Sequence, residues 1–528
     1  MSASDIDVLI VGAGPVGLTA ALLLTELGHS VRIVERRSDT QRAPAAHVVN
    51  ARTFEVWRQI GLDVDSILSD AHDPKEAGSV HWVPKLGGEI LGSLPYEQQT
   101  DAVLQYTPTP LRNLSQHRLE PKLIGELTQR GVSVEQNTTW QSCTQDIDQV
   151  TSELSAHGSQ FSIRSKWLLA CDGASSAVRT TNNIIMEGPG ELQTFLMIHF
   201  TADLSSLVGD HPGIIFWICD PTSGGTLVSH GGNNEWVYMH SEDGPREQPA
   251  TDAECEALVR NALVESDVPI MVLRKSTWTM TSQLADTYRK GRVLVAGDAG
   301  HRFPPTGGMG LNTGVQDVHN LAWKLSAVLN GETDEALIDT YGTERRPIAE
   351  RNAQASLDNA MKMFEVFTAL GVDPDPAMSV RNFEQVLQSP DGRSALTAAI
   401  NNQAVHFDMF GLQIGYRYML DNTTTPLPPL TDDIIRTFTP SSEPGNRLPH
   451  GWLIRDGKTI SSLDLVPLDS YVTITGPSHK PSQSLQVGVD FDDPDNWWGN
   501  TLGMPADGVL LIRPDQHIED RIGMPITA

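Results

Sequence analysis

Three glycines near the N-terminus have the spacing that binds the phosphates of a dinucleotide. Gly12, Gly14 and Gly17 form a G-x-G-x-x-G pattern directly after the apolar residues 8–11, which suit a buried parallel strand. The first glycine permits a tight turn, the second lets the backbone approach a pyrophosphate, and the third allows a helix to pack closely on the strand. The pattern therefore predicts a strand, a phosphate-binding turn and a helix.

The residues around this turn extend the prediction to a whole nucleotide. A helix that begins at Pro15 and Val16 would direct its N-terminal amides towards phosphate oxygens. Glu35 ends the next apolar run, beside Arg36, and its carboxylate can hold ribose hydroxyls. Such a fingerprint by itself fits either NAD or FAD.

A second group of residues near position 300 has the chemistry to bind a flavin. The apolar residues 293–296 predict a strand that delivers Asp298 to a loop, where its carboxylate can accept hydrogen bonds from a sugar-like chain. Pro304 and Pro305 stiffen this loop. A flat ring can lie against backbone that carries no side chains, which the loop offers at Gly307, Gly308 and Gly310.

The apolar spacing after this loop predicts a helix that starts near Leu311 and Asn312. Its N-terminus carries partial positive charge and free amides. Placed against the pyrimidine edge of a flavin, that end of the helix would stabilise the anion of the reduced ring.

Together these motifs resemble the three signatures of the single-component FAD-dependent aromatic hydroxylases. The middle signature is Asp172 and Gly173, which close with Arg179. The phrases AGDAGHRFPPTGGMGLNTGVQDVHNLAWKL and AHVVNARTFEVWRQIG are similar to the branch of phenol and chlorophenol hydroxylases and their polyketide-hydroxylase relatives. The resemblance spans roughly the first 345 residues.

The resemblance implies a cofactor, a reaction and several roles. FAD would stay bound while NADPH or NADH visits without a domain of its own, and indeed no second glycine fingerprint occurs. One atom of O2 would enter a phenolic ring through a flavin C4a-hydroperoxide. Asp172 would serve FAD and the nicotinamide route, Arg52 would pair with an FAD phosphate, and Gln116 would lie near the adenine ribose. The carbonyl of Pro304 would face the reactive side of the flavin.

Two histidines are candidates for proton transfer. Hydroxylation is easier on a phenolate than on a phenol, so a base near the phenolic oxygen lowers the barrier. His47 matches the position of an aspartate that assists the substrate hydroxyl in the phenol hydroxylases, and histidine suits proton traffic near neutral pH. His301, directly after the third signature, is a second candidate for contact with substrate or flavin.

The middle of the chain predicts an antiparallel sheet that covers the flavin. Segments such as GIIFWICD, NNEWVYMH and LRKSTWTM are rich in β-branched and aromatic residues and are bounded by turn residues. Aromatic side chains that could line a slot for an aromatic substrate are Trp217, Trp236, Tyr238 and Trp278. Aromatic residues at strand spacing also occur as ordinary core, so both interpretations stay open.

These segments predict an α/β protein with a Rossmann-type FAD-binding domain, an inserted and mostly antiparallel β substrate domain, and a C-terminal thioredoxin-like domain. The FAD-binding domain is assigned to residues 1–185 and 281–365, and the sheet domain to 186–280, to which parts of 75–110 can be added. A helical linker would cover 366–435, and the thioredoxin-like domain 436–528. The last has no cysteine, so it cannot perform dithiol chemistry. Alternating charges after residue 341 predict a long helix with a solvated face.

Composition limits the partners. The formal net charge of −28 argues against nucleic acid and anionic membrane surfaces. Four scattered cysteines indicate neither a disulfide framework nor a metal site, and a reduced cytoplasmic setting is expected. The N-terminus MSASDID lacks the features of a secretory signal. A monomer or a homodimer fits equally.

Two other classes remain open at this point. Baeyer-Villiger oxygenation of a ketone or quinone could run on the same scaffold, because fold does not fix the reaction. A flavin-fold protein that only binds or scaffolds is the non-enzymatic alternative. A flavin halogenase is disfavoured because the sequence has no W-x-W-x-I-P phrase.

Overall fold

A mostly parallel β-sheet forms around the first apolar run of the chain. This computed structural model describes residues 6–523 except 233, 243, 245, 247, 265–266, 421–425 and 481–482. The strand Ile6–Val11 lies between Val31–Val34 and Ser159–Ala170 and pairs with both in parallel. Residues 8–10 have no exposed surface, which is typical of a parallel strand covered on both faces.

Further strands and helices complete the Rossmann-type arrangement that the sequence predicts. The other strands of the sheet are Val134–Glu135, Thr138–Gln145, Val150–Ala156, Arg289–Lys290 and Val293–Val295. The helices are Pro15–Glu26, Ala51–Gln59, Val64–Leu68, Pro74–Ala77, Gln116–Gln129, Ala177–Thr181, Met309–Leu329 and Ala336–Ala369, with 3₁₀ turns at Asp101–Gln105 and Gly297–Ala299. Two small antiparallel sheets pair Val48–Val49 with Arg112–Asn113, and Gln283–Ala285 with both Met186–Glu187 and His301–Arg302.

A seven-stranded sheet forms the second layer. Its strands, in spatial order, are Met271–Met280, Gln193–Thr201, Glu235–Glu242, Gly225–Ser229, Ile215–Ile218, Ser79–Val83 and Gly92–Pro95. Every pair is antiparallel except the one between Ile215–Ile218 and Ser79–Val83. One face packs on the helix Asp252–Asn261, near the short helix Ser205–Val208.

The other face of this sheet is covered by the region that the sequence assigned to a linker. That region contains the helices Pro376–Gln388, Pro390–Asn401, Phe410–Ile414 and Asp432–Arg436 and the 3₁₀ turn Asn402–Phe407. Its residues Leu396, Ile400 and Phe407 share a buried cluster with Trp82 and Leu94 of the sheet. The helices described in this region therefore pack on the sheet, while the domain boundaries stay predictions.

The C-terminal module has its own sheet and core. Its four strands, in spatial order, are Leu485–Gln486, Val472–Thr475, Val509–Ile512 and Ile518–Ile522. Beside them lie the hairpin Trp452–Arg455 and Lys458–Ser461, the 3₁₀ turn Ser462–Leu465 and a π-helical turn at Trp497–Thr501. Ile474, Trp497 and Leu510 are almost fully buried in its core. The thioredoxin-like assignment stays a prediction.

A buried network of charges joins this module to the domain of the parallel sheet. Arg447 donates two hydrogen bonds to Glu55, at 2.8 and 2.6 Å, and Arg52 donates a third at 3.0 Å. Burial opposes ionisation of Glu55, but the two guanidinium groups lower its pKa from 4.5 to about 2. The stabilisation that Glu55 contributes is therefore complete above pH 4.5 and is lost as the pH falls towards 2.

The same network corrects the prediction of a solvated face on the long helix. Glu344 accepts from Arg513 at 2.9 and 2.8 Å, and Arg345 has no exposed side-chain surface. Glu344 lies inside because Arg513 of the C-terminal module packs on it, and Arg345 lies inside because it pairs with Asp317 and lies over the rings of Tyr416 and Tyr418. Sequence alternation alone could not reveal that cover.

We expect the substitution Arg447→Met to destabilise the folded protein by ~3–5 kcal/mol, because it leaves the buried Glu55 carboxylate with one guanidinium instead of two. The matched control is Arg58→Gln, which breaks the more exposed pair between Arg58 and Asp464 across the same two domains. That loss should stay below about 1 kcal/mol. Urea unfolding followed by tryptophan fluorescence measures both, and equal losses would contradict the prediction.

Candidate active site

A cavity of about 490 Å³ opens at the carboxyl ends of the central parallel strands. Predicted cofactor residues on its wall are Gly12, Gly14, Pro15, Val16, Glu35, Arg36, Gln116, Asp172, Gly173, Asp298 and Leu311. The structure thus brings together residues from all three sequence motifs. Arg37, Gln41, Thr139, Cys171 and Ser175 also line it and were not predicted.

The glycine turn has the geometry that its spacing predicts. A Cβ atom on Gly12 would lie 2.2 Å from the carbonyl oxygen of Cys171, and one on Gly17 would lie 2.0 Å from the carbonyl oxygen of Gly12. Both positions therefore require glycine for close packing. A Cβ on Gly14 would meet no protein atom within 4 Å. Gly14 thus leaves open space at the N-terminus of the helix Pro15–Glu26, where free amides can bind an anion.

Glu35 fixes the turn from the neighbouring strand. Its Oε2 accepts from the amide of Ala13 at 2.9 Å, and its Oε1 accepts from the amide of Arg37 at 2.9 Å. Burial alone would raise the pKa of Glu35, but the hydrogen bonds from these amides and the charge of the Arg37 guanidinium outweigh it. The pKa of Glu35 is therefore lowered, and the carboxyl group is anionic. Oε1 also accepts from Arg37 Nε at 3.1 Å, whereas Oε2 keeps a second lone pair to which a ribose hydroxyl can donate.

The middle motif supplies an unpaired acceptor. Asp172 Oδ2 accepts from the amide of Val178 at 3.1 Å, whereas its Oδ1 is buried and has no partner among the described residues. Burial raises the pKa of this carboxyl. Gln116, on the same wall, donates to Glu120 at 2.7 Å and keeps its amide oxygen for a ligand.

At the opposite end of the cavity, Asp298 lies beside the start of the helix Met309–Leu329. A Cβ on Gly310 would lie 3.8 Å from Asp298 Oδ1. Protein atoms surround the carboxyl and raise its pKa by desolvation, while its side chain stays open to the cavity. This is the arrangement expected of an acceptor for the hydroxyls of a sugar-like chain.

Asp317 holds the backbone around Asp298. Its Oδ2 accepts from the amide of Gly297 at 3.2 Å and from His301 Nε2 at 2.7 Å, and its Oδ1 accepts from Arg345 Nε at 2.8 Å. Burial raises the pKa of Asp317, but His301 and Arg345 more than compensate and lower it. The backbone on both sides of Asp298 is therefore held by a buried, ionised carboxylate.

The glycines of the third motif serve packing as well as access. Gly307 and Gly308 both adopt left-handed backbone conformations, with φ of 85° and 61°. A Cβ on Gly307 would lie 2.0 Å from Met409 Sδ, and one on Gly308 would lie 2.6 Å from Val48 Cβ. Met409 and Val48 thus leave no room for a side chain at Gly307 and Gly308, independently of any ligand that the loop binds.

Three predicted site residues have no exposed surface, so they cannot touch a molecule in the cavity. His301, predicted to be catalytic, is bound to Asp317 and stacks on Phe303. Asn312 uses its side chain to join Val48, Asn50, Thr53 and Gly308. Arg52, predicted to pair with a phosphate, instead donates to Glu55, Gln516 and the carbonyl of Asp515. The prediction of a direct side-chain contact with a ligand in the cavity is therefore wrong for His301 and Arg52, and the cofactor-binding role of Asn312 stays a prediction.

The predicted substrate residues divide between the two faces of the second sheet. Strand pairing places Trp217 opposite Thr226 and Tyr238 opposite Leu227, so their side chains point to opposite faces. Tyr238 is buried under the helix Asp252–Asn261, where its hydroxyl donates to the carbonyl of Ser223 at 2.6 Å, and the role predicted for it is wrong. Trp236 is buried in the same cluster. Trp278 stacks on Phe195 near the sheet edge, on the face of Trp217.

His47 lies where the cavity, the glycine loop and the sheet meet. Its neighbours along the chain are Ala46, on the cavity wall, and Val48, against Gly308. Its ring packs edge-on to His230, with centroids 5.5 Å apart, and stacks on Tyr96 at 6.2 Å. Burial lowers the pKa of His47 to about 4, so the ring is neutral near pH 7.

The loop residues Pro304, Pro305, Gly308 and Gly310 are not on the cavity wall, and their predicted contacts stay predictions. The carbonyl of Pro305 accepts from the amide of Gly308 at 3.2 Å, which closes the turn. No described donor hydrogen-bonds the carbonyl of Pro304, so that oxygen is free for the role predicted for it.

The cavity fits FAD on several independent features. An open glycine position at a helix N-terminus suits a pyrophosphate, Glu35 suits a ribose, and Asp298 suits a polyhydroxylated chain. Within the described residues, no helix is long and apolar enough to cross a membrane, and no cluster of His, Cys, Asp and Glu could hold a metal ion. The glycine turn, Glu35 and Asp298 together define an FAD-binding oxidoreductase.

Comparison with known proteins gives the family. A family model described as an FAD binding domain matches residues 5–356. The chain is 31% identical to 2,4-dichlorophenol 6-monooxygenase of Delftia acidovorans, covering 98% of this chain and 90% of that enzyme. It is 32% identical to tetracenomycin A2 monooxygenase-dioxygenase of Streptomyces glaucescens, covering 98% and 93%.

Solved structures agree with this result. The flavin-dependent monooxygenase PieE, in complex with FAD and substrate, matches with a TM-score of 0.91 and 27% identity over 98% of this chain and 96% of that one. Aklavinone-11 hydroxylase with FAD and aklavinone matches with a TM-score of 0.82 and 27% identity over 98% and 95%. The chain belongs to the FAD-dependent aromatic hydroxylases, in the branch of phenol, chlorophenol and polyketide monooxygenases. It is a monooxygenase, and FAD is its cofactor.

We expect Gly14→Val to raise the dissociation constant for FAD at least ~10-fold, about 1.4 kcal/mol, because the new side chain fills the space left for the pyrophosphate. The matched control is Gly125→Val, at another glycine whose Cβ position is open but which lies outside the cavity. Quenching of flavin fluorescence measures the affinity of each apoprotein. Wild-type affinity in Gly14→Val would place the phosphates elsewhere.

Proposed function

We propose that this protein uses NADPH or NADH and O2 to hydroxylate a phenolic or polycyclic aromatic substrate. The observation that carries the proposal is the position of His47, a neutral base between the cavity wall and an aromatic face of the second sheet. The names of similar proteins include a dichlorophenol monooxygenase, a tetracenomycin oxygenase and an aklavinone hydroxylase. Each of these names refers to an aromatic substrate.

An aromatic ring has an apolar surface to bind near His47. Trp82 and Trp217 lie opposite each other on adjacent strands, on one face of the sheet. Tyr96 and Phe407 approach this face, with ring centroids 6.2 Å apart. Trp82 and Phe407 are 0% and 1% exposed, so among these side chains the half-buried Trp217 is the one that a planar substrate could contact.

The reaction divides between cofactor and protein. Bound FAD supplies the redox and oxygen-activating chemistry. His47 accepts the phenolic proton, because a phenolate ring donates electrons to an oxidant better than a phenol does. The helix Met309–Leu329 directs free amides and partial positive charge towards the ring end of the cavity. The packed layer of residues 366–435 covers the aromatic face and excludes water.

We expect a phenolic substrate to accelerate reduction of the flavin by NADPH or NADH, because members of this family gate reduction on substrate binding. Anaerobic stopped-flow measurement of flavin bleaching tests this across simple and polycyclic phenols. The matched control ligand is the methyl ether of the most active phenol, which keeps the ring and lacks the acidic proton. Equal rates with and without every phenol would contradict the proposal.

We also expect the product to carry one oxygen atom from O2. With ¹⁸O-labelled O2, mass spectrometry should show a single labelled hydroxyl that resists treatment with base. A labelled product that base cleaves into acid and alcohol would instead be an ester or lactone. That outcome would assign Baeyer-Villiger oxygenation to the site in place of hydroxylation.

A further inference from the structure

Two buried side-chain amides form a hydrogen-bonded chain that ends on His47. Gln99 and Asn113 are 3% and 0% exposed. Asn113 Nδ2 donates to Gln99 Oε1 at 3.1 Å, and Asn113 Oδ1 lies 2.9 Å from His47 Nδ1. Two hydrogen bonds thus join three side chains, and the orientation of each side chain depends on the one before it.

Backbone carbonyls fix the orientation of the first amide. Gln99 Nε2 lies 3.0 Å from the carbonyl oxygen of Ala77 and 2.8 Å from that of Tyr96. Two acceptors at these distances require a donor, so this atom is the NH2 group. Gln99 Oε1 then faces Asn113 and can only accept. The NH2 group of Asn113 must point to Gln99, and its oxygen must point to His47.

This orientation selects one tautomer of His47. An amide oxygen can only accept a hydrogen bond, so His47 Nδ1 must carry the proton. In the neutral ring, Nε2 then has the free lone pair. His47 Nε2 makes no hydrogen bond to any residue that the structure describes. The nitrogen left free is the one that can act as a base.

The anchors of this chain belong to the second sheet. Ala77 precedes the strand Ser79–Val83, and Tyr96 follows its partner Gly92–Pro95. Asn113 is paired in register with Val48, directly after His47. The position of the sheet hairpin thus determines which nitrogen of His47 can accept a proton.

We propose that Asn113 and Gln99 are positioning residues that hold His47 as the Nδ1-protonated tautomer, with Nε2 free to accept the phenolic proton of the substrate. This inference rests on the proposed function for the identity of the proton, but the tautomer itself does not depend on it.

The surroundings favour the neutral ring. Burial is the main reason that the pKa of His47 is low; the hydrogen bond to Asn113 raises this pKa in part, and His72 lowers it. The other titratable groups in contact with the ring are His230, at its edge, and Tyr96, on its face. Beyond them, Glu235 bonds to His117, His199 and Arg118. An anion placed at position 113 would be the nearest charge to His47.

The tautomer can be read directly by ¹⁵N NMR of holoenzyme labelled at histidine, with the His47→Gln spectrum to assign the signal. We expect wild type to show a protonated Nδ1 and an unprotonated Nε2 at neutral pH. Asn113→Leu should give a mixture of tautomers. An unprotonated Nδ1 in wild type, or an unchanged His47 signal in Asn113→Leu, would overturn the proposal.

Kinetics give a second measurement that a merely structural role would not move. We expect Asn113→Leu to lower kcat by about 10-fold or more with little change in KM, short of the ~10²–10⁴-fold effect of removing a base. Asn113→Asp keeps an acceptor for Nδ1 but adds a charge that raises the pKa of His47. The acid limb of the pH–activity profile of Asn113→Asp should therefore move to higher pH, and its activity should recover in alkaline solution.

The matched control is Asn182→Leu, which removes a half-buried amide that donates to the carbonyl of Val178 at 2.8 Å, remote from His47. It should leave kcat, the pH profile and the His47 signal unchanged. If no phenol is hydroxylated while wild type shows the single tautomer, the proposed function fails and the positioning role stands. If phenols are hydroxylated but the three Asn113 readouts match the control, the positioning role fails and the function stands.

Discussion

The carboxylate of Asp317 accepts hydrogen bonds from two separate segments: from Gly297 and His301 in one loop, and from Arg345 on the long helix. A fully buried charge costs several kcal/mol unless it is paired and hydrogen-bonded, so these segments must meet at one point for the fold to be stable. Asp298 lies between Gly297 and His301, and its place in the cavity follows from that requirement. A buried charge away from the cavity therefore positions one that faces the cavity.

The parts of the site that the sequence predicts are those whose reasons are local. Gly17 is required by a contact with Gly12 in the same turn, and Gly12 by the chain at Cys171, which directly follows the neighbouring parallel strand. Asp298 and Asp172 follow buried strands whose carboxyl ends meet at one edge of a parallel sheet. Such features depend on residue spacing and chain direction, both of which are visible in the sequence.

The incorrect predictions concern residues whose roles depend on distant partners or on register. Arg52 fits a phosphate contact by resemblance, yet its partner Gln516 lies 464 residues away and no local pattern indicates it. Trp217 and Tyr238 are equally aromatic and equally strand-like, but pairing sends them to opposite faces. Asn113 and Gln99 were overlooked because a neutral amide has no signal of its own until the carbonyls that orient it are known.

The late part of the chain completes the interior of the early part. Asp515 and Gln516 satisfy Arg52 and Asn320, and Arg513 satisfies Glu344. During synthesis, these earlier residues leave the ribosome between 169 and 464 residues before these partners exist, so they must stay hydrated until the C-terminal module folds. Proteolytic nicking ahead of residue 513 would return the molecule to that immature state.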